Sequence, residues 1–209
     1  MTNDAALASL DLTTRSLRLP TVKRVGPRLA EEATRRRQTH LDYLAAVLLC
    51  EVDDRDERRR LRRVKAAGFP RTKLLADFDL GQSASVDPAT VATLEGGGYL
   101  ERGEPVVLLG DSGTGKSHLL IGLGMAACEQ GRSVRYVTCA QLVNELAEAA
   151  DEKRLSKLIA RYGRVDLLLL DELGYVQLDT RGAELLFQIL TEREERSSIA
   201  TASNCGDPA

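Results

Sequence analysis

The chain has 209 residues, 43% of them hydrophobic and 29% charged, a composition that allows one ordinary packed domain and a smaller companion. No apolar run approaches the roughly 20 residues that cross a bilayer, and the opening MTNDAALASLDL lacks the basic start and apolar core of a secretory signal. The expectation is therefore a cytoplasmic protein without a membrane partner. Cys50, Cys128, Cys139 and Cys205 form no close pair, so they read as reduced thiols and not as a disulfide frame or zinc site.

The formal net charge of −2 conceals an asymmetry. Residues 1–73 hold 17 Lys and Arg against 10 Asp and Glu, and the remainder holds 12 against 21. A basic front half on an acidic body points to a polyanion-facing module, with DNA the expected partner, although a solvated helix face is the plainer alternative.

In chain order, residues 1–27 are weakly patterned and punctuated by Pro20 and Pro27. From about Arg28 the pattern becomes helical. Leu41, Leu44, Ala45, Leu48, Leu49 and Val52 recur at helical spacing as one apolar stripe. A second helical stretch, Asp56 to Ala67, carries Arg58, Arg59, Arg60, Arg62, Arg63 and Lys65, with only Leu61 and Val64 offering a buried side; Gly68 and Pro70 end it. Residues 1–68 are thus expected to form a small basic helical domain, and 69–104 a connecting segment with a short helix near Pro88–Leu94.

Residues 105–209 alternate strands and helices. Pro105–Leu109, Val134–Thr138, Val165–Leu170 and Ser198–Ala202 read as strands; Lys116–Gln130, Ala140–Ala150 and Thr180–Glu195 read as helices. The nearly all-apolar VDLLLL is expected of a central parallel strand covered on both faces. The fold class predicted is α/β, a parallel sheet flanked by helices.

Between the first strand and its helix lies GDSGTGKS, comprising Gly110, Asp111, Ser112, Gly113, Thr114, Gly115, Lys116 and Ser117. It matches the phosphate-binding loop in the strand-to-helix context that makes the match specific. Glycines let the backbone amides converge on phosphates at the positive end of the following helix. Lys116 is placed to reach the β- and γ-phosphates, and the Ser117 hydroxyl to ligate magnesium. The strand VDLLLL then runs into Asp171 and Glu172 at the carboxyl edge of the sheet, where ligands of open α/β folds bind. Asp171 there can hold the magnesium and Glu172 can polarise the attacking water. Asn204, at the tip of the last strand, is a candidate to contact the γ-phosphate, although a lone Asn is otherwise an ordinary turn residue.

Together with LDYLAAVLLCEVDDRDERRRLRRVKAAGFP and KLLADFDL, the segments GDSGTGKSHLL and LLLLDELGY resemble the IstB-like ATPases, helpers of insertion-sequence transposition similar to the DnaC helicase loader and DnaA initiator ATPases. The resemblance covers residues 35–204. It implies a P-loop NTPase fold of the AAA+ type behind a helical domain, ATP and Mg2+ as cofactors, ATP-dependent binding of target DNA, homo-oligomerisation, and delivery of that DNA to a transposase. Gly110–Ser117 would be Walker A, Asp171 and Glu172 Walker B, and Asn204 sensor 1, with Lys116, Glu172 and Asn204 the catalytic set. The family continues past the sensor strand, whereas here only CGDPA follows, and Arg193 and Arg196 do not match the arginine that completes a neighbour's site. A shortened chain with weak ATP turnover, and a sheet lacking an element that would cover apolar surface, is the expectation. A replicative-helicase loader and a non-functional remnant are the alternatives.

Overall fold

The computed structural model describes residues 3–82, 86–175, 178–194 and 196–204. Two compact units are present, Met1–Leu61 and Arg62–Ala209, and the division falls inside a helix.

The first unit contains three helices: α1 (Asn3–Ser16), α2 (Pro20–Arg35) and most of α3 (His40–Ala67). The weakly patterned front is therefore helical. Pro20 opens α2, where its fixed φ suits a helix start, and Pro27 lies inside that helix. Leu19 gives α2 no side-chain cap. The need is met across the unit by the buried Glu51 of α3, whose Oε2 accepts from the amides of Thr21 at 2.8 Å and Val22 at 3.1 Å while Arg55 donates to its Oε1. Burial opposes charge on Glu51, but those bonds outweigh it and hold the carboxyl below its ordinary range.

This capping residue lies on the side of α3 that faces inward. Val47 and Glu51 are buried, whereas Leu41 is 76% exposed and Leu44, Leu48, Leu49 and Val52 are also exposed. The periodic stripe is real as a pattern, yet it faces outward, and the two helical stretches read from the sequence are one continuous helix. The basic run is tied down along its own helix: Arg58 reaches Asp54, Arg59 reaches Asp56 and Arg60 reaches Glu57.

The second unit is a four-stranded, fully parallel sheet of β1 (Val106–Gly110), β2 (Val134–Thr138), β3 (Leu167–Asp171) and β4 (Ser198–Asn204), in the order β1-β4-β3-β2. Helices α6 (Lys116–Glu129), α7 (Cys139–Asp151), α8 (Leu155–Gly163) and α9 (Thr180–Arg193) follow the strands. Two shorter helices, α4 (Pro88–Glu95) and α5 (Gly98–Arg102), precede them. The sequence pattern did not disclose α5 or α8.

All five residues of β3 are buried. Leu167 and Leu169 join one core with Leu120, Leu123 and Ala200; Leu168 and Leu170 join the other with Leu142, Leu146, Leu185 and Ile189. That alternation is the period-2 pleat filling a layer of helices on each side. Val64 packs on the first core. Buried Arg193 donates to the carbonyls of Tyr162, Val165 and Ser198, linking the end of α8 to the segments entering β3 and β4. Burial brings its guanidinium down to about 10. The β1 edge leaves Val107 58% and Leu109 64% exposed.

Candidate functional site

The strand order brings three carboxyl ends side by side. In register, Gly110 of β1 lies opposite Asn204 of β4, and Asp171 closes β3 on the other side of β4. The loop from β1 to α6 crosses these ends, so residues far apart in sequence line one cavity of about 560 Å³: Ser112, Gly113, Gly115, Lys116, Ser117, His118, Asp171, Glu172, Ala202 and Asn204.

Within the loop, Gly113 and Gly115 have φ of +82° and +88°, the left-handed region that glycine enters without strain. Gly115 has a second reason to lack a side chain, because a Cβ would lie 2.5 Å from the Phe78 ring. Phe78 also meets His118 edge-on at 5.4 Å between centroids, and His118 Nε2 lies 2.9 Å from the Leu74 carbonyl oxygen. The segment KLLADFDL thus braces the start of α6. Lys116 Nζ donates to the carbonyls of Gly110 at 2.8 Å and Asp111 at 2.6 Å, which holds the ammonium across the loop. The first-turn amides of α6 have no acceptor within the helix and carry its positive end.

Asp171 is 4% exposed and accepts from three directions. Ser117 Oγ donates to Oδ1 at 3.1 Å, the Glu172 amide to the same oxygen at 2.9 Å, and the Tyr136 phenol to Oδ2 at 2.8 Å. Burial, with the Asp171 bond behind it, pushes the Tyr136 phenol above its ordinary range. Glu172 is exposed and has φ of +60°, a conformation that a non-glycine residue adopts at a cost. Asn204 Oδ1 is buried and has no hydrogen-bond partner in the protein, the condition of an acceptor awaiting a donor from solvent or ligand.

The eight loop residues, Asp171, Glu172 and Asn204 therefore gather at one end of the sheet. Tyr136 and His118 were not singled out in the sequence, and Phe78 was noted only as part of the connecting segment. Tyr136 sits two residues before Thr138, which pairs with Asp171, so only the strand register brings it to that carboxylate.

A parallel sheet with a P-loop at its carboxyl edge, an acid at the end of the adjoining strand system and helices on both faces defines a P-loop nucleotide-binding protein of the AAA+ type. The chain belongs to the IstB-like ATP binding proteins, whose family model matches residues 12–206. It is 34% identical over 178 residues to an insertion sequence IS21 ATP-binding protein of Pseudomonas aeruginosa, a match covering 85% of this chain and 67% of that one. An insertion sequence ATP-binding protein of Sinorhizobium fredii is 35% identical over 198 residues, covering 94% and 66%. The chain thus spans about two-thirds of the length of these relatives. Among solved structures, AMPPCP-bound DnaA from Aquifex aeolicus aligns with a TM-score of 0.53 and 26% identity, covering 62% of this chain and 41% of that one.

Proposed function

We propose that this protein binds ATP with magnesium at Gly110–Ser117 and Asp171, and that it serves as the ATP-binding helper of an insertion-sequence transposase. The observation that carries the nucleotide reading is the convergence of Lys116, Ser117, Asp171 and the orphaned Asn204 Oδ1 on one cavity beneath a helix amino terminus. An apolar pocket of about 540 Å³ adjoins the loop, sharing Gly110, Asp111, Thr114 and Lys116 with Val91, Leu94 and Leu109. It has the character of a site for a nucleoside.

The residues fit a magnesium ion. Ser117 Oγ and Asp171 Oδ1 are hard oxygen donors 3.1 Å apart. Among the described residues no group of three His, Cys, Asp or Glu could hold a metal unaided, which suits an ion that relies on phosphate and water oxygens. When bound, the ion would offset the phosphate charge and polarise the γ-phosphoryl group. Lys116 would contact the β- and γ-phosphates, Glu172 would orient the attacking water, and Asn204 would accept from that water through Oδ1 or donate through Nδ2 to the γ-phosphate.

The transposition reading rests on the family and on the IS21-type relatives; the likeness to the DnaC helicase loader, at 21% identity, is one of fold. DNA is the proposed second ligand, and assembly of several copies is proposed with it. On α8 and at its two caps, Arg154, Lys157, Arg161 and Arg164 recur at i, i+3, i+7 and i+10, the spacing of one helix side. Lys157, Arg161 and Arg164 have no ion-pair partner among the described residues, although Glu145 and Glu148 lie nearby. That face supports DNA contact more directly than the internally paired arginines of α3. No described helix is long and apolar enough to cross a membrane, in keeping with a proposed cytoplasmic location. Calorimetric titration with ATP and Mg2+ tests the nucleotide reading, and absence of binding would remove it. Co-purification with the product of an adjacent transposase gene, set against a replicative helicase, tests the partner; retention of the helicase alone would overturn the transposition role.

A further inference from the structure

Asp171 cannot rotate freely, and the reason lies on a different strand. In the parallel pairing of β2 with β3, Thr138 stands opposite Asp171, and Tyr136, two residues earlier, projects from the same face. An aromatic side chain can span that diagonal. The Tyr136 hydroxyl ends 2.8 Å from Asp171 Oδ2, while Ser117 Oγ and the Glu172 amide share Oδ1. Each carboxylate oxygen thus has its own assignment: Oδ1 faces the phosphate loop and Oδ2 faces Tyr136 on the neighbouring edge strand β2. Tyr136 is itself half-buried and packs beside Phe69, with ring centroids 6.4 Å apart, so its hydroxyl is held in position.

We propose that Tyr136 is a positioning residue that fixes the Asp171 carboxylate for magnesium and biases the site against calcium. The inference rests on the nucleotide-binding reading above and adds a specificity determinant to it. Its chemistry follows from the two cations. Magnesium holds strictly to six short bonds, keeps several waters and needs one well-aimed carboxylate oxygen, whereas calcium accepts longer bonds, more ligands and both oxygens of a carboxylate. A phenol donating to Oδ2 makes that oxygen costly to turn toward a cation and leaves Oδ1 aimed at Ser117. Hydrogen-bond partners behind a metal ligand commonly change metal affinity by about 10–100-fold when removed.

The test measures calorimetric binding of AMPPCP, a non-hydrolysable nucleotide, in EDTA and across titrations of Mg2+ and Ca2+, for wild type, Tyr136→Phe and Tyr136→Leu. Wild type is expected to bind AMPPCP more tightly with Mg2+ than with Ca2+. Tyr136→Phe should keep its affinity in EDTA within about twofold, need roughly tenfold more Mg2+ for half-saturation, and lose much of the preference over Ca2+. Tyr136→Leu should show the same metal response with a lower melting temperature, which separates the hydroxyl from the ring. A Mg2+ midpoint unchanged in Tyr136→Phe, or equal losses for the two cations, would overturn the inference while leaving the nucleotide site standing. A wild-type protein without AMPPCP affinity would overturn the nucleotide reading itself, and this inference with it.

Discussion

Ser117 donates its hydroxyl to Asp171 Oδ1 at 3.1 Å, joining the first turn of α6 to the carboxyl end of β3 across 54 residues of sequence. The bond sets the spacing between phosphate loop and acid before any ligand is considered. The Lys116 ammonium is held by the Gly110 and Asp111 carbonyls, so phosphate oxygens would exchange with neutral acceptors for a charged donor. Lys116→Ala is therefore expected to weaken ATP binding by about 2 kcal/mol, roughly 30-fold, the scale of a hydrogen bond to a charged group. Calorimetric affinity within threefold of wild type would remove Lys116 from the phosphate site.

Glu172 poses a conflict between stability and chemistry, because its φ of +60° is one that glycine tolerates better. Glu172→Gly should raise stability by up to about 1 kcal/mol, reduced by the extra freedom glycine gives the unfolded chain. Glu172→Gln should leave stability near wild type. Both variants should retain ATP binding and lose hydrolysis if this side chain orients the attacking water. Phosphate release at the wild-type rate by Glu172→Gln would exclude that role, and a lower melting temperature for Glu172→Gly would show the backbone to be unstrained.

How much of this was legible in advance depended on whether a feature is local. The phosphate loop is eight consecutive residues whose glycines and lysine act where they stand, and the LLLL run before Asp171 declared a strand buried on both faces. Tyr136 was silent because its partner, 35 residues away in sequence, is set by the register between two strands. The helix α8 was hidden among charges, with Leu155, Leu158, Ile159 and Tyr162 supplying its inward side. On α3 the periodic stripe is present but exposed, and Val47 and Glu51 stand on the buried side. Periodicity reports that apolar residues align, but not which side turns inward, and here the inward side carries the carboxylate that caps α2.

The two basic faces can be separated by salt. Removing one cation that neutralises a phosphate should reduce the slope of log affinity against log salt by about 0.9 for duplex DNA. Replacing Lys157, Arg161 and Arg164 with Gln should flatten the slope by about 2 to 3. The same change at Arg58, Arg59 and Arg60, which engage Asp54, Asp56 and Glu57 on their own helix, should flatten it by less. Fluorescence anisotropy with a labelled duplex across a salt series reads both. An unaltered slope in the α8 variant would locate the DNA surface elsewhere.

The pH dependence of the helical unit follows from Glu51. Its carboxyl is held below the ordinary value of 4.5 by the Val22 and Thr21 amides and by Arg55, against the opposing effect of burial. A carboxylate with a depressed folded-state pKa stabilises fully above its unfolded pKa, and that contribution is lost as pH falls through the folded value. The unit should therefore hold its stability above roughly pH 5 and lose it progressively in more acidic solution. Glu51→Gln removes the charge and keeps one oxygen that can accept from both amides, but sets an NH2 donor where Oε1 accepts from Arg55. It should cost about 1–2 kcal/mol at neutral pH, the scale of lost charge-assisted capping bonds, and should reduce the loss on acidification. Circular dichroism melts of both proteins between pH 3 and pH 7 decide the matter. Parallel curves for the two proteins across that range would show that Glu51 does not carry the acid sensitivity.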